Sequence, residues 1–508
     1  MDASTSRPTD AASSTATGHR TNRTTGCGSL AKGPAEMSRP PPASLTVQFI
    51  AERNNMKRTA LLTTLFSLFL ISSAQIALAA GATVTVDYNQ PKQTLAGFGA
   101  SITWLAGDLN SFTPADQSVI LDSLYSTTKP SAGLSIIRGG SMLCEFNPSA
   151  GTYNWNHPLI QSEMSWMNRV KSTYGVNQFL VTTWTPPAFM KSNNSCSNGG
   201  SVLTQYYPDL ANTMVLWLQN AQTSLGQQVN VWSVQNEPSN STSYDSANYT
   251  PAQFISFVTG YLKPAMLTAG LTTKITVPEN SVWGGPSYFD SNWGFPILQN
   301  QPQMDADVDI LATHDYGANY ALDSPSQAAL QYNKPIWQTE VYRGHTYNGS
   351  ITDALSWADS IHGALTTGNF SAWFYWWAID YVNDNGGLII YDNTNWTYKI
   401  PKRVYALGNF SRFMRPGSTV LATSSTSSSI QATAVRPTSG SVALVLANQS
   451  KSSTTVTVSL ANLSNPPSSV TPYRTSATEN QAPLTPIPVS GGSFTITIPA
   501  SSVVTVVG

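Results

Sequence analysis

Two segments of the chain end in a glutamate beside aromatic and amide side chains: Trp232-Ser-Val-Gln-Asn236-Glu237-Pro238 and Ile336-Trp337-Gln338-Thr339-Glu340. Two carboxyls facing one another can break a glycosidic bond. One, protonated, delivers its proton to the leaving oxygen, and the other, ionised, attacks the anomeric carbon from the opposite face. A separation of about 5–5.5 Å gives a covalent intermediate and retention of configuration. The expected roles are Glu340 as ionised nucleophile and Glu237 as acid/base, its pKa raised partly by the charge of Glu340.

Other side chains fit around that pair. Asn236 is placed to hydrogen-bond a sugar 2-hydroxyl. Trp184, Trp376 and Trp377 offer apolar faces for sugar rings, whereas Trp337 is assigned to packing. Arg138 can orient a carboxylate through charge-assisted hydrogen bonds. His314 precedes Tyr316, which is expected to hydrogen-bond Glu340. Glu145, Glu279, Asp315 and Asp380 are rival acids. A metal site built from His314 and Asp315 lacks a second ligand pair of suitable spacing, so neither metal nor cofactor is expected.

The elements that must position these residues are short apolar runs at roughly 40-residue spacing. They cover 94–100, 134–138, 178–183, 229–235, 274–278, 310–314, 335–339 and 372–377, and alternate with helical stretches such as 207–224 and 351–367. Eight near-continuous apolar strands alternating with helices predict a (β/α)8 TIM barrel, whose catalytic residues sit at the C-terminal strand ends. Glu237 and Glu340 end the fourth and seventh strands. Beyond residue 412 the pattern changes to period two, as in Ser429-Ile-Gln-Ala-Thr-Ala-Val435 and Phe494-Thr-Ile-Thr-Ile498, which predicts an antiparallel β-sandwich. Residues 82–89 alternate too and are expected to add a strand to it. The expected domains are thus a barrel over 93–411 and a sandwich over 82–92 plus 412–508.

Composition narrows the partners. Charged residues are 10 % of the 508 and the net charge is -1, which argues against a nucleic-acid binder. All 14 tryptophans fall between Trp104 and Trp396. Residues 56–79 read as a signal peptide: Lys57 and Arg58, an apolar run from Leu61, then Ala77-Leu78-Ala79. Residues 1–55, rich in Ser, Thr and Pro, read as a disordered or mis-assigned extension. Without the six basic and four acidic residues of 1–55 and without Lys57 and Arg58, 18 basic and 23 acidic residues remain. The expected product is a secreted monomer, free of the membrane after cleavage. Two cysteines, Cys144 and Cys196, stay with it, either bridged or as free thiols.

Trp184-Thr-Pro-Pro-Ala-Phe-Met-Lys-Ser-Asn-Asn194 with Gly199-Gly200, Val234-Gln-Asn-Glu-Pro238, Trp337-Gln-Thr-Glu340-Val-Tyr342 and Trp373-Phe-Tyr-Trp-Trp377 resemble glycoside hydrolase family 30 over about 97–416. The nearest group is its bacterial endo-β-1,4-xylanases, including the glucuronoxylanases. The resemblance implies a retaining mechanism, the roles of Glu237 and Glu340 given above, and a sandwich packed rigidly on the barrel. One departure stands out. The glucuronoxylanases carry an Arg pair after the eighth-strand Trp-Trp, where this chain has Ala378-Ile379-Asp380-Tyr381. Asp380 there would repel a uronate, so cleavage independent of glucuronic acid branches is expected, with Arg343 as the nearby substitute cation. The alternatives are another β-glycan (β-1,6-galactan, β-1,6-glucan or glucosylceramide) and a non-catalytic polysaccharide-binding protein. With three aromatics, Phe413, Tyr473 and Phe494, the sandwich is expected to be structural.

Overall fold

The computed structural model describes residues 81–317 and 322–508. The signal-peptide and extension readings lie outside those residues. Strand β1 (Ala82–Thr94) is followed by β2 (Gly97–Ser101), β3 (Ile136–Gly140), β4 (Gln178–Thr182) and β5 (Val231–Ser233). Then come β6 (Lys274–Val282), β7 (Ile310–Tyr316), β8 (Ile336–Glu340), β9 (Phe370–Asp380) and β10 (Gly387–Tyr391). Strands β2 to β9 run parallel in sequence order, and β9 pairs with both β8 and β2, so the barrel closes. Strand β10 adds to β9 outside the ring.

The barrel fills from the bottom with apolar side chains. Ile136, Leu180, Val231, Ile310 and Trp337 form one buried cluster with Ala372 and Phe374. Trp337 stacks on Phe374 at 6.1 Å, as packing requires. Because strand side chains alternate, the next inward position lies two residues on. It holds Arg138, Thr182 and Ser233, all fully buried. The change from apolar to polar along each strand marks where the barrel stops being core and becomes a site.

Strand β8 breaks this parity. Thr313 pairs with Gln338, but the next pair is His314 with Glu340, one residue out of step. Counting in twos from inward-facing Trp337 leads to Thr339. The irregularity re-aims the strand end so that Glu340 enters the barrel instead.

The second sheet joins β1 to strands drawn from 419–507, with β1 between Thr419–Ser425 and Thr454–Ala461. It is therefore discontinuous in sequence. The pairing of β1 with Thr454–Ala461 is parallel, which makes the sheet mixed rather than wholly antiparallel as expected. The reason is that β1 arrives from the other end of the chain, not through a hairpin. Period two divides Ala443–Asn448 between two cores: Leu444 and Leu446 face the sandwich interior, while Ala443, Val445 and Ala447 join the barrel core. Asn409 and Gln481 cross the same junction, with Asn409 Nδ2 donating to Thr505 Oγ1 (2.8 Å) and Gln481 Nε2 to Ser131 O (2.7 Å).

Candidate active site

Glu237 follows β5 and has φ 46°, left-handed for a residue with a side chain. Such a backbone is costly and persists only where its surroundings over-determine it. Here the Asn236 N–H donates to Thr183 O (2.7 Å) and the Glu237 N–H to Glu279 O (3.0 Å). Glu279, near the end of β6, is left-handed as well (φ 58°). Both glutamates are buried, and so is Glu340. One oxygen each of Glu237 and Glu340, with a ring nitrogen of His314, lie within 4.8 Å of one another.

Arg138, with no exposed surface, is the hub. Its Nη1 donates to Glu340 Oε2 (2.5 Å), its Nη2 to Asn236 Oδ1 (2.7 Å) and its Nε to Glu279 Oε1 (3.1 Å). Tyr316 donates to Glu340 Oε1 at 3.0 Å. His314 Nδ1 lies 3.0 Å from Glu237 Oε1, and Asn240 Nδ2 donates to Glu237 Oε2 (2.9 Å). With Oδ1 taken by Arg138, Asn236 Nδ2 makes no hydrogen bond among the described residues. The three donor atoms of Glu237, His314 and Glu340 are close enough to ligate a metal, but the guanidinium on Glu340 already supplies a fixed positive charge there.

The charges set one another. Burial opposes ionisation of Glu279, but Arg138 and His314 outweigh it and hold its carboxyl at about 2. Burial likewise disfavours cationic His314, yet Glu340, Glu237 and Glu279 raise its pKa to about 9. Glu340 is pushed up by burial and by Glu237, against His314 and Arg138. The sequence reading put the upward push on Glu237. In the structure burial lifts Glu340, because the bulge carries it fully inside.

Aromatic rings wall the centre. The Arg138 guanidinium lies 4.6 Å from the Trp184 ring centre and 5.7 Å from that of Trp376. Trp377 is 2 % exposed behind Trp376, stacked on it at 4.4 Å, with its N–H donated to Thr103 O. Trp376 in turn lies 6.1 Å from Trp184, ring centre to ring centre. Trp104 touches Trp184 at 5.0 Å and Trp376 at 6.4 Å, and Tyr244 lies 6.5 Å from Trp104. The sequence reading missed both. Trp104 was findable, since it follows the end of β2 as Trp184 follows β4. Tyr244 lies in an aperiodic polar loop and left no pattern.

The rival acids separate from the pair. Asp315 is ion-paired with Arg343 at 2.7 Å. Asp380 is fully buried and accepts from the Val382 N–H, so it is no exposed acid that would repel a uronate. The reason is that β9 runs on to Asp380 beneath β10. Glu145 lies on the short helix Leu143–Phe146, next to Cys144, which is bridged to Cys196. Of the four, Glu279 is the one seen hydrogen-bonded to Arg138 among the described residues.

Residues 138–293 match the O-glycosyl hydrolase family 30 profile, and 417–506 that of the family 30 β-sandwich domain. The chain is 28 % identical to glucuronoxylanase XynC of Bacillus subtilis (strain 168), over 87 % of its own length and 96 % of the relative's. The catalytic domain of GH30 xylanase C from Talaromyces cellulolyticus superposes with a TM-score of 0.72. That match is at 25 % identity and covers 84 % of this chain and 99 % of that one. The chain is a glycoside hydrolase that carries family 30 domains. A further relative, endo-1,6-beta-D-glucanase neg1 of Aspergillus fumigatus, is 26 % identical over 65 % of this chain and 72 % of its own. The chain's architecture is a TIM barrel with a β-sandwich domain.

Proposed function

We propose that this glycoside hydrolase is a secreted, retaining endo-β-1,4-xylanase with Glu340 as nucleophile and Glu237 as acid/base. The observation that carries the mechanism is the approach of their carboxyl oxygens to within 4.8 Å. That is the short separation of a double displacement; inversion needs about 6.5–9.5 Å to fit a water. A Glu340 oxygen bonds to the anomeric carbon as the glycosidic bond breaks, and the Glu237 proton goes to the leaving oxygen. Water then attacks the glycosyl-enzyme, its proton returning to Glu237 and Glu340 leaving as carboxylate. Asn236 Nδ2 is available to the sugar 2-hydroxyl, and Trp376 borders the ring.

Xylan is favoured over a β-1,6-glucan by coverage. The glucuronoxylanase relative aligns over 87 % of the chain, the 1,6-glucanase over 65 %. Independence from glucuronic acid branches rests on Ala378-Ile379-Asp380-Tyr381 after Trp377, where no Arg stands, and on Arg343, whose guanidinium is engaged with Asp315. Hydrolysis of glucuronoxylan, arabinoxylan and β-1,6-glucan, with product sizing and NMR of the first-formed anomer, tests all of this. The β-anomer and mixed xylo-oligosaccharides from both xylans are expected. Fragments ending at fixed distances from glucuronate would refute branch independence, and turnover of the 1,6-glucan alone would refute the linkage.

A further inference from the structure

Glu279 is a buried carboxylate that the double displacement does not use, yet it is tied to the site at both ends. Its carbonyl accepts the Glu237 N–H at 3.0 Å. Its Oε1 takes Arg138 Nε and Nη2 at 3.1 Å each and lies 3.8 Å from His314 Nε2. Its Oε2 accepts from Thr182 Oγ1 at 3.1 Å and from Ser233 Oγ. A fully buried side chain on a left-handed backbone, holding that many partners, is built for a task.

The geometry of His314 shows what the task is. Nδ1 faces Glu237 Oε1 at 3.0 Å and Glu340 Oε1 at 3.8 Å. Nε2 faces Glu279 Oε1 and has no hydrogen-bond partner among the described residues. Both ring nitrogens thus look at carboxyl oxygens. A neutral imidazole has one N–H and would aim its lone pair at an oxygen that would itself have to carry a proton; with Glu237 Oε1 and Glu279 Oε1 both accepting, it is the imidazolium that satisfies both sides. Around it stand Glu237 from the loop after β5, Glu279 from β6, Glu340 from β8, Arg138 from β3 and the Tyr316 hydroxyl from its own strand. With Arg138 and His314 cationic and Glu279 and Glu340 anionic, the charges balance. Glu237 is then the carboxyl free to be neutral.

We propose that Glu279 is a positioning residue that holds His314 as the imidazolium, and so leaves Glu237 as the carboxyl carrying the exchangeable proton of the site. The second half rests on the roles given above to Glu237 and Glu340; the first half does not.

Imidazole ¹⁵N NMR of the full chain, which has five histidines, reads the first half directly. His314 should be doubly protonated at pH 7 in the wild type. In Glu279→Gln its titration should fall by about one pH unit or more, because a negative charge beside it is gone. A neutral His314 at pH 7, or an unmoved titration in the variant, overturns the proposal. Kinetics read the second half. Glu279→Gln should lower kcat about tenfold or more with a smaller change in KM. The alkaline limb of its kcat/KM profile should move to lower pH, since removing a negative charge makes every remaining proton easier to lose. Glu279→Asp should bring the limb most of the way back. A loss of rate with both limbs in place would mark Glu279 as scaffold only and overturn the proposal. If Glu279→Gln does not fold, Glu279→Asp, which keeps the charge but draws the carboxylate back from Nε2, should shift the His314 titration in the same direction by less. Should Glu237→Gln and Glu340→Gln keep hydrolysing xylan, the functional reading fails while the NMR result stands.

Discussion

The mouth of the barrel and the interior of the sandwich are both buried, but they obey opposite rules. The sandwich interior is made of side chains such as Val84, Leu444, Leu446, Val456 and Ile496, placed by alternation alone. The barrel mouth buries Arg138, Glu237, Glu279, His314 and Glu340 together, with two of the glutamates on left-handed backbone. The sandwich is what local preference and core packing produce when nothing else is asked of them. The mouth departs from those preferences where chemistry needs charge without water, and the surrounding shell holds it there. A desolvated ion is costly unless paired, so the mouth is stable only as a complete set.

The sharpest way to separate the two regions is to remove one charge. Glu340→Gln should lower xylan hydrolysis by about 10⁴-fold or more, as loss of a nucleophile does, while polysaccharide binding survives in the folded protein. A variant that keeps a tenth of the rate would remove Glu340 from its proposed role. The converse change is Leu444→Ala, fully buried in the sandwich. It should cost about 2–5 kcal/mol of stability in denaturant unfolding, with kcat per folded molecule unchanged. A matching loss of kcat would mean that the sandwich strands beneath the barrel help to shape the site.

A smaller effect is expected where the two kinds of order meet at the cleft wall. The Cys144–Cys196 bridge ties the segment after β3 to the one after β4. Replacing both cysteines with alanine should cost about 2–4 kcal/mol, and should raise KM more than it lowers kcat, because those segments carry Trp184 but neither Glu237 nor Glu340. Equal changes in both parameters would contradict this.

The mildest test is a pH dependence. Glu163 is buried beneath the mouth, accepting from the Gly140 N–H at 2.8 Å and from Thr103 Oγ1 at 3.1 Å. Burial lifts its pKa to about 8. A carboxyl raised on folding favours the native state at low pH and loses that contribution as pH rises through its folded value. Stability should therefore fall between about pH 5 and pH 9, and Glu163→Gln should flatten the slope, changing the thermal midpoint at pH 9 by a few degrees, roughly 2–4 °C per kcal/mol. A slope unchanged by the substitution would place the titrating group elsewhere.

Much of this could be read in the chain. The runs 178–183 and 310–314 became β4 and β7 almost to the residue, because strands buried on both faces are marked by composition as well as by period. The helix expected over 207–224 spans Tyr207–Leu225. Glu237 and Glu340 stood out because each ends such a run beside aromatics. Less legible were the partners. Glu279 looked like a rival acid and Asp380 like one that would repel a uronate; neither burial nor pairing shows in a strand's own pattern.

By itself, then, the sequence determined the barrel, the alternating sandwich and the identity of the two central glutamates, since these follow from local hydrophobic period and from which residues end each strand. The tertiary structure decided which charges meet. The slip in register between β7 and β8 turned Glu340 inward, and Arg138 and His314 came within reach of three carboxylates from three other strands or their ends. Their charge states are properties of that meeting, because Coulomb energy and desolvation depend on distances through space that no stretch of chain contains.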